Sequence, residues 1–204
     1  MSDGLDRFRT FLGAMTRLCD ANASECQIRD RGSAALRALV SEDDWLPGEF
    51  CRPDPKQYRQ YLLYCDPLER FSVVSFVWGP GQKTPVHDHT VWGLIGMLRG
   101  AEIARGYCPA PSGCLQAEPP QRLTPGEVSA VSPLLGDIHS VENALTDRPS
   151  ISIHAYGGNI GAIARHVFVA ETGAMKSFVS GYANRLLPNL WDRSAETRAR
   201  LGLG

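Results

Sequence analysis

The sequence predicts a mainly β protein, a barrel with helices at its N-terminal end, and two observations carry that expectation. From Tyr58 onward, short runs rich in Val, Ile, Phe and Tyr are separated by Gly and Pro, the punctuation of many short strands. Ahead of Tyr58 the apolar residues recur instead at intervals of three and four, the period of a helix with one buried face.

Taken in order, Leu5, Phe8, Leu12, Met15 and Cys19 give an amphipathic helix over 5–20. A second helix is expected from Ser33, a residue suited to cap it, to Val40. A third, short one is expected from Ser41, with Glu42, Asp43 and Asp44 at its positive end and Pro47-Gly48 as its stop. Strands are expected over 59–65, 71–78, 84–89, 92–98, 101–108, 120–124, 127–132, 138–143, 149–156 and 163–169. Pro109-Ala110-Pro111-Ser112-Gly113 and Pro119-Pro120 read as loops. The division is then a helical cap over 1–57, a barrel over 58–170 and a C-terminal extension over 171–204, all within one domain.

Composition excludes several classes of function. The formal net charge of -1 over 204 residues offers no basic field to nucleic acid or to an anionic membrane. No apolar run approaches the roughly 18 residues of a membrane span, and the charged start Met1-Ser2-Asp3-Gly4-Leu5-Asp6-Arg7 is unlike a secretory signal. The 6 cysteines form no Cys-x-x-Cys pair, and a chain of this size needs no disulfide framework. Reduced thiols in a cytoplasmic protein are the expectation. Nothing in the sequence sets the oligomeric state.

The chemistry concentrates in Pro85-Val86-His87-Asp88-His89 and in Gly136-Asp137-Ile138-His139-Ser140-Val141-Glu142-Asn143. Side chains on a strand alternate, so His87 and His89 share a face while Asp88 points away. His139, from a distant strand, completes three nitrogen donors for one divalent metal. Imidazole suits Zn, Cu, Fe and Ni, and three protein ligands leave positions open for a substrate, the layout of a catalytic site. These segments resemble the cupin signature. Gly81, His87-Asp88-His89 and Gly100 fit its first motif, with Gly93 where that motif has a glutamate. Gly136, His139 and Asn143 fit the second, with Pro133 one residue out of place. The resemblance implies a jelly-roll-like cupin barrel whose usual carboxylate ligand is missing.

Ser150-Ile151-Ser152-Ile153-His154-Ala155-Tyr156 alternates apolar and polar residues, which by itself fits a half-exposed strand. A barrel interior is the polar side when it holds a ligand. Ser152, His154 and Tyr156 would then form a hydrogen-bond chain that holds the tyrosine hydroxyl over the metal. With His87, His89 and His139 as ligands, this row resembles the thiol dioxygenases of the cysteine dioxygenase type I family, over about 58–169 and with Trp78-Gly79-Pro80-Gly81 ahead of the first motif. The resemblance implies a mononuclear non-haem iron, Fe(2+), that adds both atoms of O2 to a small thiol to give a sulfinic acid. The family's animal members carry a cysteine, cross-linked to the tyrosine, at the position of Gly93; its absence is the bacterial pattern.

Family members that act on cysteine carry an arginine two residues after the tyrosine matched by Tyr58, and here that position is Gln60. Members that oxidise 3-mercaptopropionate resemble this chain in having glutamine there and an arginine late in the barrel, matched by Arg165. Arginine suits a carboxylate because its planar fork binds both oxygens. The adjacent Arg59 keeps L-cysteine open as an alternative substrate, since a one-residue gap would return an arginine to the cysteine-type position. A different metal-dependent cupin, or a non-catalytic one, is the remaining alternative. His166, on the opposite strand face from Arg165, reads as structural or surface, and Trp78 and Trp92 read as core aromatics.

Overall fold

The computed structural model describes residues 5–111, 113–190, 192 and 194–202. Helix α1 (Leu5–Asp20) buries Phe8, Phe11, Leu12, Met15 and Leu18, the apolar stripe that its spacing demands. Ser24 and Gln27 then form a reciprocal capping box. The turn it starts runs through a π-turn, Ile28–Gly32, into α2 (Ser33–Val40), which buries Leu36, Leu39 and Val40. The third expected helix does not form over 41–47. Glu42, Asp43 and Asp44 provide no apolar face to bury, and two of them serve ion pairs instead, Asp43 with Arg99 and Asp44 with Arg7. A 3-10 turn, Gly48–Cys51, follows Pro47.

Twelve strands follow among the described residues: β1 (Arg59–Cys65), β2 (Ser72–Trp78), β3 (Val86–His87), β4 (Gly93–Arg99), β5 (Glu102–Pro109), β6 (Leu115–Ala117), β7 (Gln121–Leu123), β8 (Val128–Val131), β9 (His139–Asn143), β10 (Ser150–Tyr156), β11 (Arg165–Phe168) and β12 (Met175–Phe178). The mainly β architecture with N-terminal helices expected from the sequence is therefore the one the chain adopts. Strands β6 and β12 fall where the sequence suggested a loop margin and an extension; β12 pairs with β11 along its whole length. Helix α3 (Ser194–Leu201) lies near the C-terminal end.

All strand pairs are antiparallel. One sheet runs β1-β2-β10-β4-β8 and the other β12-β11-β3-β9-β5-β6, with β7 beside β5. The first sheet is sandwiched. Ile151, Ile153 and Ala155 of β10 join Phe8, Met15, Leu36 and Leu39 in the main core, so the helices cover its outer face. The approach is close enough that a Cβ on Gly96 of β4 would sit 2.9 Å from Leu36 Cγ, which is why that position has no side chain. Val74, Phe76, Trp78 and Tyr156 face the other way and meet Val141 of the second sheet. Every residue of β10 is buried, so its polar face points into the protein.

Candidate metal centre

Antiparallel register builds the centre. His87 and His139 are direct cross-strand partners on β3 and β9, so their side chains rise side by side from one face. His89 lies just past the end of β3, not on the strand as expected, and the chain turns at Thr90 with φ 60°. It converges nonetheless. The ligand nitrogens of His87, His89 and His139 lie within 4.8 Å of one another, and all three side chains are buried.

Each ring is aimed by what its other nitrogen bonds. His87 Nδ1 lies 3.0 Å from Pro85 O and His89 Nδ1 lies 2.9 Å from Asp137 Oδ1, which makes both Nδ1–H donors and leaves Nε2 free as ligand. Asp137 also accepts the backbone N–H groups of His89 and Thr90, at 2.9 and 2.7 Å. Burial pushes the Asp137 carboxyl up, but these donors outweigh it and hold the group below its ordinary value. Burial, reinforced by the neighbouring His89, drives His87 down to about 3. Burial likewise drives His139 far below the usual histidine range. Buried imidazoles that stay neutral, with free nitrogens turned toward one point and no carboxylate in the group, fit a divalent metal with preference for nitrogen ligands.

The opposite wall is β10. Tyr156 stacks on His89 with ring centroids 5.3 Å apart and an interplanar angle of 22°. Its ring covers Gly93, its cross-strand partner. A Cβ at Gly93 would lie 2.8 Å from Val131 Cγ2 and 2.9 Å from Tyr156 Cε1, so a glutamate there would displace the tyrosine. Behind Tyr156 runs the row read from the sequence: Tyr156 Oη to His154 Nδ1 is 2.8 Å, and His154 Nε2 to Ser152 Oγ is 2.8 Å. Burial pushes Tyr156 up and His154 far down, so both stay neutral. Trp78 is a core aromatic, yet its Nε1–H donates to Ser152 Oγ at 3.3 Å. Ser152 also hydrogen-bonds Glu102, a carboxyl only 2 % exposed that the sequence reading passed over.

Arg165 sits on β11, two residues from Val167, the cross-strand partner of His87, and therefore on the same face. It is 3 % exposed, and its charge acts on Tyr58, Tyr156 and His87. Its Nη2 donates to Ser180 Oγ at 2.6 Å and its Cζ lies 4.7 Å from the Phe178 ring centroid, while its Nε is buried with no partner. Gln60 is buried nearby and donates to Gly181 O and Ser180 Oγ at 3.1 and 3.3 Å. Tyr58, Gln60, Phe178, Ser180 and Tyr182 line a cavity of about 300 Å³. Arg59 alternates away from Gln60 and pairs with Asp54, so no arginine of β1 shares the face of Gln60. His166 instead bonds Asp88, at 2.8 Å, tying β11 to the histidine loop from outside.

No family model matches the chain. Among solved structures it is similar to a Thermus thermophilus protein at 19% identity, covering 54% of this chain and 91% of that one, with a TM-score of 0.43. A cupin superfamily protein from Desulfitobacterium hafniense shares 14% identity over 56% of this chain and 91% of its own, with a TM-score of 0.43. An oxalate oxidase in complex with the substrate analogue glycolate shares 16% identity over 52% of this chain and 53% of its own, with a TM-score of 0.42. Each likeness takes in about half of this chain. Among the described residues no disulfide forms, and no helix is long and apolar enough to cross a membrane.

Proposed function

We propose that this protein is a thiol dioxygenase of the cupin type, adding both oxygen atoms of O2 to the thiol of a small carboxylate-bearing substrate to give a sulfinic acid, with 3-mercaptopropionate as the favoured thiol. The observation that carries the reading is three buried imidazoles whose ligand nitrogens converge with no carboxylate among them and, on the same strand face as His87, a buried arginine whose Nε has no partner. Fe(2+), bound by His87, His89 and His139, supplies an electrophilic centre whose full double charge favours a thiolate. Arg165 binds and orients the substrate carboxylate. Glutamine at position 60 together with an arginine late in the barrel is the pattern of the family members that oxidise 3-mercaptopropionate, which favours that thiol over L-cysteine. Tyr58 closes the side wall against Trp78, its ring centroid 4.9 Å away.

Tyr156 presents its hydroxyl beside His89, held by His154, where it can hydrogen-bond the reacting sulfur or oxygen. Oxygen uptake by iron-loaded protein, compared across 3-mercaptopropionate, L-cysteine and cysteamine, tests the reading. We expect turnover with the first to exceed both others. Preference for L-cysteine moves the substrate assignment to the alternative, and no uptake with any thiol leaves another metal-dependent or a non-catalytic cupin. Tyr156→Phe should slow turnover while iron content stays that of the parent; equal turnover removes this role from Tyr156.

A further inference from the structure

The row Ser152, His154, Tyr156 does not end at Ser152. Glu102, on β5 of the opposite sheet, reaches across the interior to the serine hydroxyl. No cation faces it among the described residues. From β2 comes the Trp78 indole N–H, and from β10 come Ser152 and, beyond it, the neutral His154 and Tyr156. Across the ladders on either side stand Leu123 of β7 and Asn143 of β9. The Asn143 amide is already committed to Trp78 O, Gly79 O and Arg148 O, and its Oδ1 accepts from Ser150. A carboxyl so placed, 2 % exposed and without a counter-charge, has no function in packing that a Leu or Gln would not serve as well.

We propose that Glu102 is the proton-holding end of a relay, Glu102–Ser152–His154–Tyr156, that sets which way the Tyr156 hydroxyl points. Two settings satisfy every donor and acceptor. With Glu102 protonated, the acid donates to Ser152 Oγ, Ser152 O–H donates to His154 Nε2, His154 Nδ1–H donates to Tyr156 Oη, and the Tyr156 proton points into the chamber. With Glu102 ionised, Ser152 donates to the carboxylate, His154 Nε2–H donates to Ser152, and Tyr156 O–H donates back to His154 Nδ1. Trp78 donates to Ser152 in both. The settings differ by one proton. If a proton arrives at Tyr156 Oη from the chamber, the tyrosine proton passes to His154 Nδ1, the Nε2 proton passes to Ser152, and the serine proton passes to Glu102. Burial pushes Glu102 up to about 7, so either setting is within reach near neutrality. On the thiol dioxygenase reading, on which this last step rests, the arriving proton is the one a substrate S–H gives up when it becomes a thiolate.

The tautomer of His154, read by 15N NMR on histidine-labelled protein loaded with Zn(II), tests the relay without reference to turnover. We expect Nδ1–H below about pH 7 and Nε2–H above it, with no such change between pH 5 and 9 in Glu102→Gln. Ser152→Ala, which cuts the chain and leaves the carboxyl in place, should also be insensitive to pH. One tautomer across the range in the parent, or a parent-like titration in Glu102→Gln or in Ser152→Ala, overturns the proposal. Proton release on binding 3-mercaptopropionate at pH 8, measured by calorimetry in buffers of different ionisation enthalpy, tests the proton's source. The parent should release about one proton fewer than Glu102→Gln; equal release overturns storage at Glu102. Failure of 3-mercaptopropionate to bind would count against the proposed function, while the tautomer result still decides the relay.

Discussion

The two walls of the chamber are built on opposite principles. On the second sheet, His87, His89 and His139 are independent: His87 is braced by a backbone carbonyl and His89 by Asp137. On the first sheet, Ser152, His154 and Tyr156 are braced by one another, each the partner of the next. Independent braces give fixed donors at the positions where a metal needs them. A chain in which every member is both donor and acceptor gives something that can reverse direction. Damage to the first wall should therefore remove the metal, and damage to the second should leave it in place and change what it does.

The largest effect that would sharpen this contrast is His139→Ala. Removing one of three buried nitrogen donors should abolish stoichiometric metal, read as metal content after dialysis, whereas His154→Ala should retain it. Metal loss in both variants would dissolve the distinction between the walls. Next comes Arg165→Ala. A hydrogen bond to a charged group is worth roughly 1.5–3 kcal/mol, about 10- to 150-fold, so the KM for 3-mercaptopropionate should rise by that factor. Cysteamine, which has no carboxylate, should bind as it does to the parent; equal losses for both thiols would mean that the variant had disturbed the chamber and not the clamp.

Asp137→Asn comes third and tests whether the first wall is as independent as it looks. Asn can still accept the backbone N–H groups of His89 and Thr90, but it pulls less on the His89 ring and can present its amide to Nδ1 instead. Outer partners of this kind are worth about 10- to 100-fold in metal affinity. We expect a loss in that range by competition with a chelator, with the His154 tautomer unmoved. A tautomer shift in Asp137→Asn would show the walls coupled through the stack of Tyr156 on His89.

The same contrast explains what could be read from the sequence. The convergence of the three histidines was legible because spacing within two short segments reports it: His87 and His89 are two residues apart, and the strand around His139 has its own glycine and asparagine markers. The alternation of β10 was legible too, and so was its sense once the barrel interior was read as the polar side: Ile151 and Ile153 meet the helices, and the polar face looks inward. The braces were not legible. Asp137 meets a ring 48 residues away and Glu102 meets a hydroxyl 50 residues away, separations set only by how two sheets face each other. Glu102 left one trace, an acid amid the small and apolar residues Ala101, Ile103 and Ala104. The expected helix over 41–47 failed for a related reason. Three acids in a row satisfied the rule for a helix start, but ion pairs to Arg7 and Arg99 offered two of them, Asp44 and Asp43, a better end.

The smallest effect concerns the place where neither wall rules, the segment around β12. Ser180 links Arg165 to Gln60, accepting from Nη2 of one and Nε2 of the other, and the serine itself is exposed. If its work is to hold the guanidinium at the right angle, Ser180→Ala removes one neutral hydrogen-bond partner from a charge that keeps its stack on Phe178. Because Ser180 is exposed and water can replace its hydroxyl, the effect should fall below about 1.5 kcal/mol, the lower end for a bond to a charged group, at roughly 2- to 10-fold. The KM for 3-mercaptopropionate should rise within that range, with kcat and metal content unchanged, because the serine touches neither the histidines nor the relay. A fall in kcat at constant KM would mean instead that this segment acts on the chemistry, and that the substrate clamp cannot be separated from the walls it stands between.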